Sequence, residues 1–149
     1  MLDSFENLKI DFENKIVFLD IDGTLIPDNE INFSAQTVEC LDKIKQKNKL
    51  YLCTNSLNSK RNKNVEGLLN IELLIGGKKP FKGIIKDLDL EKKDCVVIGD
   101  KFLTDGLFAK NIGAEFIMVK KKISGKERPI IKIIDFFDNL VYKLYRMNS

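Results

Sequence analysis

Asp20 and Asp22 stand two positions apart, directly behind the apolar run Ile16-Val17-Phe18-Leu19 and ahead of Gly23-Thr24-Leu25. A continuous run of strand-forming residues reads as a buried strand. A carboxylate emerging at its end stands at the edge where open α/β sheets hold ligands. Two acids that close either share a proton or gather around a cation. On its own, D-x-D also describes a strand end whose aspartates cap a turn. The remaining acids, hydroxyls and lysines must decide between the two. The chain contains no histidine, which removes Ser-His triads, histidine bases and His-ligated zinc together. Catalysis would have to run on carboxylates, lysines, hydroxyls and an oxygen-loving metal.

The elements that must position these groups alternate. Length (149 residues) and 44% apolar content suit one domain spanning 1–149, with 1–15 as a lead-in carrying Phe5, Leu8, Ile10 and Phe12. After the first strand, Pro27-Asp28-Asn29 is a turn. Ser34 caps a helix whose inner face is Val38, Leu41 and Ile44. Leu50 to Cys53 is a second strand, ending at Thr54-Asn55-Ser56. A polar helix with Val65, Leu68 and Leu69 inside follows, then a short third strand, Glu72 to Ile75, closed by Gly76-Gly77. Pro80 suits the first turn of a helix with Phe81, Ile84, Ile85 and Leu88 on one face. Val96-Val97-Ile98-Gly99-Asp100 is a fourth strand. Thr104 caps a helix stopped by Gly113, and Phe116 to Val119 is a fifth strand. Alternation of this kind predicts an α/β fold with a central five-stranded parallel sheet and right-handed crossovers.

Three strands then end in polar residues at one edge: Asp20 and Asp22, Thr54, and Asp100. Lys79 and Asp105 follow the third and fourth strands. In this order they resemble the four motifs of the haloacid dehalogenase (HAD) superfamily of phosphotransferases. Lys79-Pro80 with Gly99-Asp100-Lys101-Phe102-Leu103-Thr104-Asp105 is similar to the signature of its subfamily IIIA, the YqeG-like group that includes phosphatidylglycerophosphatases. Gly23 departs from the Asn usual in that group, and Lys101 from the usual Gln. The resemblance implies a capless Rossmann-like three-layer sandwich. It implies Asp20 as nucleophile and Asp22 as acid-base. Mg²⁺ would be held by Asp20, the main-chain carbonyl of Asp22 and Asp100, with Asp105 helping to hold the metal or Lys79, and Thr54, Asn55 and Lys79 around the phosphoryl oxygens. The gaps Asp22–Thr54 and Thr54–Lys79 leave no room for an inserted cap domain.

The implied activity is a Mg²⁺-dependent phosphomonoester hydrolase with an aspartyl-phosphate intermediate, acting on phosphatidylglycerophosphate at a membrane surface. Alternatives are a soluble sugar, nucleotide or nucleic-acid 3′-phosphate as substrate, or an inactive HAD scaffold kept for binding. A signalling receiver domain would need its acceptor aspartate after the third strand, where residues 72–77 contain none.

Composition limits partners and place. A net charge of +3 and the lack of an aromatic-interleaved basic stripe give no reason to expect nucleic acid. Three scattered cysteines, no basic-then-apolar leader and no long apolar run fit a cytoplasmic protein. The apolar C-terminal helix, 129–147, follows Lys120, Lys121, Lys122, Lys126 and Arg128. It would pack on the sheet, form a homo-oligomer, or lie on an anionic membrane.

Overall fold

The computed structural model describes residues 1–75, 77–90 and 94–149. Four parallel strands form one sheet in the order β2-β1-β3-β4: β1 Ile16–Leu19, β2 Lys49–Leu52, β3 Cys95–Gly99 and β4 Glu115–Met118. Four α-helices accompany them: α1 Ala35–Lys47, α2 Ser59–Leu69, α3 Leu107–Ile112 and α4 Pro129–Met147. β1 is central, with Ile16 opposite both Lys49 and Cys95. Its residues alternate between two cores, which explains why the whole run is apolar. Val17 and Leu19 pack with Leu41, Ile44, Leu52 and Ile98 on the α1 side. Ile16 and Phe18 pack with Val97 and Phe108 on the other. Phe5, from the lead-in, is fully buried in the first core.

The α/β architecture follows the sequence reading, with four strands and not five. The expected third strand is reduced to a single bridge, Leu73 opposite Leu52. Two bonds secure it, Leu52 N–H to Glu72 O and Leu74 N–H to Leu52 O. β2 itself ends at Leu52, one residue beyond which the Cys53 N–H still bonds to Leu19 O, and Ile75 is exposed. Gly76 lies outside the described residues. The helix expected after Pro80 is only a 3-10 turn, Lys82–Ile85. Ile84 alone of its predicted stripe is fully buried, while Phe81 projects outward. α1 is capped by Ser34, whose Oγ accepts the Thr37 N–H, but Thr37 and Cys40 complete its inner face and Val38 is exposed. On α2, Val65 is buried as expected and Leu68 is not. α3 is stopped by Gly113 at φ +71°. Its start is a π-helical turn, Phe102–Gly106, that contains Thr104 and leaves it no capping bond.

Candidate active site

β1 and β3 run side by side, so Asp20 and Asp100 leave the same sheet edge. Thr24, in the turn between them, donates from Oγ1 to Asp20 Oδ2 at 2.9 Å and lies 3.3 Å from Asp100 Oδ1. Gly23 makes that turn possible with φ +82°. A Cβ there would lie 2.5 Å from Asp100 Oδ2, so a side chain would fill the cradle. Gly99 is required for a similar reason, since a Cβ would run into the Asp105 carboxylate.

Lys79 comes in from the segment after the bridge and is almost fully buried. Its Nζ donates to Asp20 Oδ1 at 2.6 Å and also to Asp105 Oδ1. Burial works against its charge, but the carboxylates of Asp105 and Asp20 outweigh that and hold its pKa above the ordinary lysine value. Asn55 fixes the Lys79 backbone on both sides: its Oδ1 accepts the Lys79 N–H at 2.9 Å and its Nδ2 donates to Lys79 O at 3.0 Å. The Asn55 side chain, expected beside the phosphoryl oxygens, therefore serves to place the lysine. Asp105 is held by the π-helical turn, where its Oδ2 accepts the Lys101 N–H at 3.2 Å. A tighter backbone ladder would carry Asp105 past the lysine, and π turns are frequent at functional sites for such reasons.

Asp20, Asp100 and Asp105 are all buried, and one oxygen from each lies within 4.8 Å of the others. Among the described residues, Asp100 Oδ2 has no hydrogen-bond partner. Burial, with the neighbouring Asp20 and Asp105 carboxylates, pushes the Asp100 pKa up to about 8. Burial also raises Asp105, to about 6, although Lys79 pulls against it. An orphaned carboxylate oxygen among hard oxygen donors fits a small divalent cation such as Mg²⁺. Cys53 lies just below, and burial lifts its thiol to about 12, which excludes it as a thiolate nucleophile at neutral pH.

Asp22 belongs to the site but faces another way. Arg61 grips both its oxygens, Nη2 to Oδ1 at 2.8 Å and Nη1 to Oδ2 at 3.0 Å. Thr54 Oγ1 adds a bond to Oδ2 at 3.1 Å, and the Asn29 N–H one to Oδ1 at 3.3 Å. Arg61 is itself buried and donates to the Glu30 carbonyl from Nε and Nη2. Thr24 and Arg61 were not singled out from sequence. Thr24 lay within the quoted motif, whereas Arg61 looked like one more base on a polar helix. An arginine one turn into a helix that directly follows Thr54-Asn55 was the available signal. The site opens into a cleft of about 530 Å³ whose walls include Asp20, Asp22, Asn29, Thr54, Lys79 and Lys101.

A parallel sheet with three acids and a buried lysine at the carboxyl edge of its central strands is the arrangement expected of a HAD-like protein, and comparisons with known proteins point the same way. The HAD-hydrolase-like family model matches residues 77–134. The chain is 29% identical over 109 residues to the probable phosphatase YqeG of Bacillus subtilis (strain 168), an alignment covering 70% of this chain and 63% of that protein.

Proposed function

We propose that the protein is a HAD-type phosphatase that hydrolyses phosphomonoesters through an aspartyl-phosphate on Asp20. The observation that carries this is the pairing of a buried, lysine-bound Asp20 with the partnerless oxygen of Asp100 in one open cleft. The name of the Bacillus relative supports the same activity.

The chain's own groups divide the work. Asp20 attacks phosphorus, and the Asp20–phosphorus bond forms as the bond to the leaving oxygen breaks. Water then attacks the same phosphorus, which releases inorganic phosphate and restores the carboxylate. Asp22 is the acid-base, giving a proton to the leaving oxygen and later taking one from the water, help of about 10²–10⁴-fold in typical enzymes. Its four donors occupy both oxygens, so one contact must yield before it can carry a proton. The Asn29 bond is the longest of the four and comes from the cleft wall. Lys79 neutralises Asp20 and Asp105 and stands ready to meet a phosphoryl oxygen, while the Thr54 hydroxyl would do the same on turning its proton away from Asp22. Mg²⁺, held by Asp20, Asp100 and the main-chain carbonyl of Asp22 with Asp105 behind, would supply positive charge against the phosphoryl oxygens.

Among the described residues, the segments that could carry a cap hold α1 with β2, and α2 with the bridge. The mouth therefore stays open, which favours a bulky phosphomonoester, phosphatidylglycerophosphate by the family resemblance. The test is an assay of wild type and Asp20→Asn on an aryl phosphate, phosphatidylglycerophosphate, sugar phosphates, nucleotides and a 3′-phosphorylated oligonucleotide, with Mg²⁺ or EDTA. Turnover that needs Mg²⁺ and is lost in Asp20→Asn is expected, highest on the lipid. Activity near wild type in the variant refutes the nucleophile. No turnover on any substrate leaves a binding scaffold.

A further inference from the structure

α4 is attached to the domain by a narrow strip. Asp138 is buried and accepts the Phe102 and Leu103 N–H groups, both at 2.7 Å. Beside it, the Tyr142 and Tyr145 rings pack on Phe102, with centroids 5.5 and 4.8 Å apart. At 100° per residue, the face turned away from this strip is an uninterrupted apolar arc of roughly 160°. Ile133, Phe136, Phe137, Leu140, Leu144 and Met147 all lie on it and all are exposed, Phe136 by 66%. No helix among the described residues is long and apolar enough to cross a membrane.

The charges around this face are sorted by sign. Every exposed charge between residues 120 and 147 is positive: Lys120, Lys126, Arg128, Lys132, Lys143 and Arg146. Two of the three acids of the same stretch are withdrawn, and the third, Glu127, stays partly at the solvent. Asp135 is paired with Lys121 at 2.9 Å, Asp138 caps the π-helical turn, and Glu127 accepts from Ser124. Lys121 and Lys122 are likewise spent internally, on Asp28 and Asp135 and on Glu6. What faces outward is an apolar surface whose border is mainly cationic, with the Glu127 carboxylate on the loop as the exception. A second copy placed there by a two-fold axis would bring two like-charged rims together. Anionic lipid headgroups would complement them.

We infer that the outer face of α4 with the 120–128 loop is a docking surface for an anionic lipid bilayer, on which the helix lies parallel to the membrane plane. The loop is also continuous with the catalytic cleft. A groove lined by Lys126, Arg128 and Ile130, with Glu30 and Glu127 also in its wall, shares Asp28 and Asn29 with the cleft wall. Docking therefore sets the open mouth beside the headgroups. It rests on the phosphatase reading only for the substrate delivered there, so binding is measured apart from turnover.

The experiment is cosedimentation of the full chain with vesicles of phosphatidylcholine alone or with phosphatidylglycerol, at low and high salt. Aryl phosphate hydrolysis is followed in parallel. Wild type should bind the anionic vesicles at low salt, weakly or not at all to neutral ones. Phe136→Asn/Phe137→Asn, on exposed positions, should abolish binding and keep aryl phosphate turnover. Lys126→Gln/Arg128→Gln should weaken it roughly fivefold per charge. Failure of wild type to bind anionic vesicles at low salt overturns the proposal. So do equal binding by the aromatic variant, or a solution dimer that the aromatic variant dissociates. A protein that binds vesicles but hydrolyses nothing leaves the docking surface standing and removes the phosphatase reading.

Discussion

Asp138→Ala tests the connection between α4 and the catalytic loop. The carboxylate accepts two main-chain N–H groups at the start of the turn that carries Asp105. Alanine leaves the Phe102 donor buried and unsatisfied and the Leu103 donor partly so. An unsatisfied buried donor costs about 1–3 kcal/mol, and a charged acceptor raises the figure. Some recovery by water at Leu103 gives an expected loss of about 2–4 kcal/mol. In a chain of this length that corresponds to a fall in Tm of roughly 5–15 °C. Asp138→Asn keeps one acceptor but turns its amino group toward the second N–H, so it should recover less than half the loss. Because Asp105 sits on the same turn and holds Lys79, kcat should fall with stability in both variants. The assay is thermal unfolding with hydrogen exchange at the Phe102 and Leu103 amides. A Tm within about 2 °C of wild type for Asp138→Ala, or unchanged exchange at those amides, would show that α4 is held by the tyrosines alone.

Two further expectations concern the site. Asp22→Asn should slow alkyl phosphates more than aryl phosphates, whose leaving groups need less protonation. Arg61→Met, which removes the cation beneath Asp22 without touching the cleft wall, should lower kcat by at least about tenfold with little change in KM; a pure KM effect would contradict that placement. Metal-free protein should lose stability as pH rises from about 4 to about 8. Asp100 and Asp105 have folded pKa values raised to about 8 and about 6, so the fold retains protons that the unfolded chain releases near pH 4. Their contribution is full below pH 4 and gone above 8. Mg²⁺ should flatten the curve, as read by Tm across pH 5–9 with Mg²⁺ or EDTA. A flat EDTA curve would refute the buried, mutually repelling acids.

What was legible in the sequence was whatever depends on local pattern. The run into Asp20 and the run into Asp100 marked buried strands because both faces of a parallel sheet are covered. Gly113 marked a helix end because its φ is positive. What stayed hidden depends on partners far along the chain. Asp138 fell on the polar side of α4 by its angle, and only the two bare amides of Phe102 and Leu103 make it an interior residue. Arg61 reads as a solvent-facing base until Asp22 and the Glu30 carbonyl are placed around it. The lysines of 120–122 look alike, yet Lys121 and Lys122 turn inward to carboxylates at Asp28, Asp135 and Glu6. The stripe from Phe81 to Leu88 had helical spacing but only one turn forms, because the segment is tied down at its start by Asn55 and Asn111.

The central position of β1 has a consequence for how the protein is made. β1 gains its first neighbour when β2 emerges, but its second, β3, begins only at Cys95. Until then one edge of Ile16-Val17-Phe18-Leu19 is bare, and an open edge of such residues invites pairing with another chain. Asp100 and Asp105 come later still, so the nucleophile is synthesised long before the groups that surround it. A nascent chain stalled before Cys95 would carry an adhesive strand and no site. The same order makes β3 the segment whose arrival covers the bare edge of β1 and leads straight into Asp100.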